Sequence, residues 1–261
     1  ETGLLRSWPQ GGPKVLWSTP VGQGYAAAAI VGGRVYFNDY DEAAGDYLVR
    51  CLNLADGKEI WRFKEKRRIR PNHAITRTVP ATDGKLVFTL DGTFGVAAAD
   101  GKRLWHFPFK FNLSVSPSPL VVDSERVYVT GPYDAGGAMI RVKKGPGGFT
   151  TEKVFVHAPE EWNSEVQTPI VFQGHLFAVG KKKRGLFTCV APDGKQVWTS
   201  EGKASFELGS FLLADGMFLI LEGKTGTLRL VEASTAAYKE LASAPVLKGP
   251  DVWGPLALSD G

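Results

Sequence analysis

The chain has 261 residues, 43% of them hydrophobic and 22% charged, enough apolar material for one large domain or two small ones and too much for a disordered polymer. Thirty-one glycines and 16 prolines argue for frequent turns and against long helices, and no apolar run reaches the roughly 18 residues a membrane span needs. The balance of 31 Lys and Arg against 27 Asp and Glu leaves +4, a small surplus that is not by itself a nucleic-acid signature.

In chain order, the first element is the strand Lys14 to Trp17, KVLW. It reads as the outermost strand of a unit whose other strands are missing, so it is expected to close the last unit of a ring. Three later segments then superpose: CLNLADGKEIW ending at Trp61, GVAAADGKRLW ending at Trp105 and CVAPDGKQVW ending at Trp198. Each is an apolar strand, an Asp-Gly turn and a second strand closing on tryptophan, a hairpin signal because glycine accepts the positive φ such turns require. VFV around Phe155 and KEL around Leu241 fill the same place with weaker residues. The anchors 17, 61, 105, 155, 198 and 241 then lie 44, 44, 50, 43 and 43 residues apart, a repeat with one insertion.

A second marker is an apolar strand, a short turn and another apolar strand, in AIVGGRVYF, VPATDGKLVF, PLVVDSERVYV, PIVFQGHLFAV and FLLADGMFLI, turning at Gly33, Gly84, Glu125, Gly174 and Gly216. Each unit therefore carries four antiparallel strands, A to D. Such units repeated without a covering helix predict an all-β fold: a single β-propeller domain over 1–261, of about six four-stranded blades. The sixth takes its A strand from Gly254 to Leu258 and its D strand from Lys14 to Trp17, and is incomplete at Gly261. A chain that begins at Glu1 without a signal peptide is expected to have lost a leader or to have been cut. Cys51 and Cys189 sit inside apolar strands and read as buried thiols that do not pair.

The A–B and C–D turns fall on one face of such a disc, and the longer D–A and B–C connections on the other, where binding is usually placed. The D–A connections bring Gln23 and Tyr25; Arg70, Asn72 and His73; Asn112; Trp162, Asn163 and Glu165; Glu207; and Asp251 and Trp253. Those from B to C bring Asn38, Asp39 and Asp41; Tyr133 and Asp134; Lys181, Lys182, Lys183 and Arg184; and Glu222 and Lys224. Arg70, Asn72 and His73 with Glu165, Glu207 and Asp251 could supply a base, a cation and carboxylates at the channel mouth; solvated loop groups are the plainer reading. Trp162 and Trp253 lie ahead of A strands, where an indole either wedges between blades or faces a ligand. The basic runs Lys64 to Arg70 and Lys181 to Arg184 are solvated loops or a surface for an acidic partner. His106, His157 and His175 lack metal-site spacing, and no P-loop, dinucleotide fingerprint or nucleophile elbow is present.

The pattern Ala/Cys-x-x-x-Asp-Gly-Lys-x-x-Trp resembles the tryptophan-docked repeat of pyrroloquinoline-quinone (PQQ)-like propellers, a family that includes quinoprotein alcohol dehydrogenases and the outer-membrane assembly factor BamB. The opening ETGLLRSWPQGGPKVLWSTPVGQG is similar to the start of secreted PQQ-like repeat proteins of Planctomycetes. The resemblance implies a periplasmic or secreted protein. In the quinoprotein dehydrogenases it also implies a quinone under a vicinal Cys-Cys ring with Ca²⁺ on Glu, Asn and Asp; this sequence has no Cys-Cys pair, so no cofactor or metal is expected. The reading is a non-catalytic scaffold that binds a protein or a polyanionic glycan, but not nucleic acid, through the long-connection face. Its partner-binding candidates are Arg70, Asn72, His73, Asn112, Trp162, Asn163, Glu165, Glu207, Asp251, Trp253, Tyr133, Asp134, Lys181, Lys182 and Arg184. The alternatives are a quinone- or metal-dependent oxidoreductase with its site at the channel mouth, and an interaction domain of a longer chain.

Overall fold

The computed structural model describes residues 10–12, 14–67, 77–82, 93–110, 116–180, 185–249 and 251–258, with the backbone alone at 86–89. Among them the regular structure is all β. Five four-stranded antiparallel sheets follow one another along the chain, each in the order A-B-C-D. Blade one is β1 (Ala29–Val31), β2 (Arg34–Asp41), β3 (Asp46–Asn53) and β4 (Glu59–Lys66); blade two is β5 (Ala81–Thr82), β6 (Leu86–Thr89), β7 (Phe94–Ala97) and β8 (Arg103–His106). Blade three is β9 (Leu120–Val121), β10 (Arg126–Thr130), β11 (Gly137–Gly145) and β12 (Gly148–His157). Blade four is β13 (Ile170–Phe172), β14 (His175–Gly180), β15 (Leu186–Val190) and β16 (Gln196–Thr199); blade five is β17 (Phe211–Ala214), β18 (Met217–Leu221), β19 (Thr227–Glu232) and β20 (Glu240–Pro245). The insertion of the third repeat is the long β11–β12 hairpin.

The expected sixth blade is not formed among the described residues: neither Lys14 to Trp17 nor Gly254 to Leu258 is a strand. A strand exists as one rail of a hydrogen-bonded ladder, and neither segment meets a partner rail. Trp17 is instead held by its side chain.

The core lies between blades rather than within them. Tyr36, Tyr47, Val49, Cys51 and Trp61 of blade one pack against Phe94, Val96 and Ala98 of blade two. Trp105 of blade two packs with Val127, Val129, Ala138 and Ile140 of blade three, and a larger cluster runs from Tyr128 through Phe187 and Trp198 to Phe218. Both faces of a C strand are thereby covered. That is why β3 is buried along nearly its whole length while the outer β4 alternates.

Every C–D pair slips register once, between Cys51 and Leu52, Gly95 and Val96, Met139 and Ile140, Cys189 and Val190, and Leu230 and Val231. The extra residue on the D strand is Ile60, Leu104, Val154, Val197 or Leu241, and the next residue is the anchor: Trp61, Trp105, Phe155, Trp198 and Ala242. A bulge bends its strand and re-aims the following side chain. Leu241 is therefore the bulged residue and not the anchor of blade five, which is Ala242.

Where the C–D turn of the next blade is Asp-Gly, the preceding ring lies on its glycine. The Trp17 indole lies on Gly57 and its Nε1 donates to the Leu54 carbonyl at 2.8 Å; Trp61 lies on Gly101 and donates to the Ala98 carbonyl at 2.9 Å. At Gly101, with φ +72°, a Cβ would fall 2.5 Å from an indole carbon, so the position needs glycine for its backbone and for the ring. At the next such junction Phe155 lies on Gly194.

A smaller ladder joins the A-strand entries. Ser118 Oγ accepts the Val79 N–H at 3.0 Å and Thr168 Oγ1 accepts the Ser118 N–H at 2.9 Å. All three residues precede a proline, which keeps them extended.

Candidate binding surfaces

The predicted site residues divide into three groups. Arg70, Asn72, His73, Asn112, Lys181, Lys182 and Arg184 lie outside the described residues, as does Lys183. Trp162, Asn163 and Glu165 are buried in the connection from blade three to blade four. Trp162 is a wedge, its ring centroid 5.3 Å from Tyr128 and 5.4 Å from His157. Asn163 Nδ2 donates to the Gly131 carbonyl at 3.3 Å, and the Ser164 N–H donates to Thr130 Oγ1 at 3.1 Å. This segment ties two blades together.

Five candidates remain, four of them exposed and one half-buried. Tyr133 is 44% exposed in the B–C loop of blade three, with φ +58°, and Asp134 follows it. Thr130 Oγ1 closes the base of that loop by donating to the Gly136 carbonyl at 2.7 Å. Trp253 is 45% exposed, Asp251 is exposed, and the Val252 N–H between them donates to the Gly223 carbonyl at 2.8 Å. Glu207 is half-buried at φ +53°, its backbone against Gly185. Tyr25 presents its ring to the Arg77 guanidinium at 4.7 Å.

Two polar constellations were not singled out from the sequence. Arg50, buried on β3, pairs with Asp39 at 3.0 Å and Glu59 at 2.7 Å, and donates to the Pro20 carbonyl at 2.8 Å. Asp39 in turn accepts the Gly22 and Tyr40 N–H groups at 2.8 Å each. Burial alone would raise the Glu59 pKa, but hydrogen bonds from Arg62 and Arg50 outweigh it and hold the carboxyl below its ordinary value. A cleft of about 540 Å³ opens here between Pro20–Gln23 and blade one. Blade five repeats the pairing: Arg229 meets Glu222 and Glu240 at 2.7 Å each, which places Glu222 in an ion pair rather than free on a loop. The available signal was a charged residue inside an apolar strand, as in LVRCLNL, since such a group must be paired.

His157 is the second constellation. Its Nε2 meets the Gly194 carbonyl at 2.6 Å, so Nε2 carries the proton, and Nδ1 accepts from the Tyr128 hydroxyl at 3.0 Å. Phe155 and His157 thus divide the two roles of a docking tryptophan, one packing on the turn glycine and the other donating to a turn carbonyl. A cleft of about 390 Å³ opens beside them between blades three and four.

Burial depresses the His157 pKa despite its bond to Gly194 and the nearby Glu161 carboxylate. The unfolded chain takes up a proton near pH 6.5 that the folded chain resists. The stability from neutral His157 is therefore complete above about pH 6.5 and is lost as pH falls through the window below it. Urea midpoints measured between pH 8 and 5.5 should fall more steeply for the wild type than for His157→Gln; equal slopes would refute this.

Among the described residues no group of three or more His, Cys, Asp and Glu is placed to hold a metal. Cys51 and Cys189 are buried in C strands of different blades, and burial pushes the Cys189 thiol up to about 12. Both behave as small apolar side chains, and neither can form a vicinal pair. The described residues do not fit the quinone–calcium centre of the dehydrogenases.

Radial four-stranded sheets joined through a ring on a glycine turn define a tryptophan-docked β-propeller. Residues 3–146, more than half of the chain, match the family described as outer membrane protein assembly factor BamB, and the chain belongs to it. No curated protein matches the sequence significantly. Among solved structures, BamB from Moraxella catarrhalis is 12% identical over 88% of this chain and 77% of its own, with a TM-score of 0.47. A europium-containing methanol dehydrogenase is 14% identical over 89% of this chain, with a TM-score of 0.52, and the quinohemoprotein alcohol dehydrogenase ADHIIG of Pseudomonas putida HK5 is 13% identical over 88%, with 0.55. The chain spans 53% and 43% of those two enzymes. At such identities the likeness is one of fold.

Proposed function

We propose that the protein is a non-catalytic, extracytoplasmic β-propeller scaffold that holds a protein partner against the face made by its D–A and B–C connections. The observation that carries this reading is Tyr133, a large ring left 44% exposed on a short loop held in a left-handed backbone. Exposed aromatic residues on rigid supports make strong anchors at protein interfaces, because they bury much area at little entropic cost. Trp253 and Asp251 offer a second anchor of the same kind. Membership of the BamB family supports a protein partner and a periplasmic address, whereas nothing comparable supports a glycan.

A photo-cross-linking residue placed at Tyr133 or Trp253 in the source organism should capture one and the same envelope protein. The same residue at Gln173, in an A–B turn on the opposite face, should not. Capture from Gln173 alone, or from none of the three, would overturn the reading.

A further inference from the structure

At Gly57 and Gly101 the edge of a blade junction is closed by an indole, which covers the turn glycine and gives its N–H to a turn carbonyl. An indole N–H does not titrate in the physiological range. At Gly194 the covering ring is Phe155, and the donor is His157, whose Nε2–H reaches across from blade three to the Gly194 carbonyl of blade four. An imidazole does titrate there. Its other nitrogen is already committed: Nδ1 accepts from the Tyr128 hydroxyl, and Tyr128 is fully buried. A proton arriving at Nδ1 sets two donors against each other inside a box of Phe155, Tyr128 and Trp162 rings.

The groups that face His157 do not hold it as a cation. Tyr128 on β10 is a neutral hydroxyl, and β11 brings Gly137 opposite it. Glu161, from the connection after β12, is exposed and already accepts the Ala158 N–H at 2.8 Å. Asp193 and Lys195, from the C–D turn of blade four, are exposed and paired with each other at 3.2 Å. The depressed pKa of His157 reflects the same burial. Beside the ring lies the cleft of about 390 Å³, the shortest way to water. A charged imidazole gains hydration by turning into it, and in doing so leaves the Gly194 carbonyl.

We propose that this junction is an acid-labile seam: protonation of His157 frees its edge, so that β12 and the C–D turn of blade four part locally while the indole-closed junctions stay shut. The opening is bounded on the inside, where Met139, Leu176 and Phe177 lie in one apolar cluster that acid does not touch. The seam does not depend on the Tyr133 surface.

Native-state hydrogen exchange of the full chain, read by mass spectrometry at about pH 7.5 and about pH 5.5 and corrected for intrinsic rates, tests this. Protection in segments 155–164 and 190–198 should fall by about three- to tenfold, the change for a group that takes up its proton near pH 6.5 only when open. Segments 57–63 and 95–105, across the Gly101 dock, should change by less than about twofold. His157→Gln keeps an N–H for the Gly194 carbonyl and removes the titration, so its loss at the seam should also stay below about twofold. Tyr128→Phe deletes the donor to Nδ1 and favours the protonated ring, so it should move the onset of the loss to higher pH; it serves equally if His157→Gln does not fold. Equal loss at both junctions, no loss at the seam, a loss that persists in folded His157→Gln, or an onset unmoved by Tyr128→Phe would overturn the proposal.

Discussion

Replacing Trp61 with alanine will lower the stability of the fold by about 3–5 kcal/mol, the range for deleting a large buried aromatic side chain. The indole is 8% exposed and sits between two blades, packed on Tyr36 at 5.9 Å and on Gly101. Its loss opens a void that the paired strands on both sides cannot collapse into, and leaves the Ala98 carbonyl without the indole N–H. Trp61→Phe separates the two contributions. The ring that blade three already uses at this position keeps most of the packing and gives up the hydrogen bond, so the cost should fall to about 1–2 kcal/mol. Urea unfolding followed by far-ultraviolet circular dichroism measures both; a loss below about 1 kcal/mol for Trp61→Ala would show that the docks do not hold the blades together.

Arg50→Ala should be as damaging, again about 3–5 kcal/mol, for a different reason. The Asp39 carboxylate stays buried at 5% exposure with the Gly22 and Tyr40 N–H groups but no longer a paired guanidinium on it, and Pro20 loses the guanidinium that fixes its carbonyl to blade one. Much of the penalty is the stranded charge, so adding Asp39→Asn to Arg50→Ala should return a substantial part of it. The Arg50 deficit should also persist in about 0.5 M NaCl, since a buried pair is poorly screened. A double variant no more stable than Arg50→Ala would locate the cost in lost packing around Phe37 instead, over which the Arg50 guanidinium lies at 5.2 Å.

Much of this architecture can be read in the sequence, because its determinants are local. The Asp-Gly turns, the strand pairs on either side and the tryptophans that follow them lie within about a dozen residues of one another, and they gave the four-stranded unit and its period. Determinants joining residues far apart in the chain were harder to see. The bulge before each anchor is a property of pairing, so Leu241, a plausible apolar residue at the right spacing, stood in for Ala242. The sixth blade depended on two segments finding each other across the whole chain. The candidate site suffered most: Trp162 and Asn163 sit in a long polar connection that looks exposed, yet they are buried because that connection runs between two blades. His157 and Arg50 acquire their partners, Gly194 and Pro20, only through tertiary contact.

The hairpin from Asn53 to Trp61 holds both halves of the coupling between blades. Gly57 receives the indole of the segment before it, and Trp61, four residues later, delivers one to the blade after it. A segment of DNA duplicated anywhere within a repeat therefore copies socket and plug together, already in register with each other and with their neighbours. Such an array can lengthen or shorten by whole units without any new contact having to arise, and one junction can change its residues, as Phe155 and His157 have replaced an indole, while the remaining junctions keep the assembly intact.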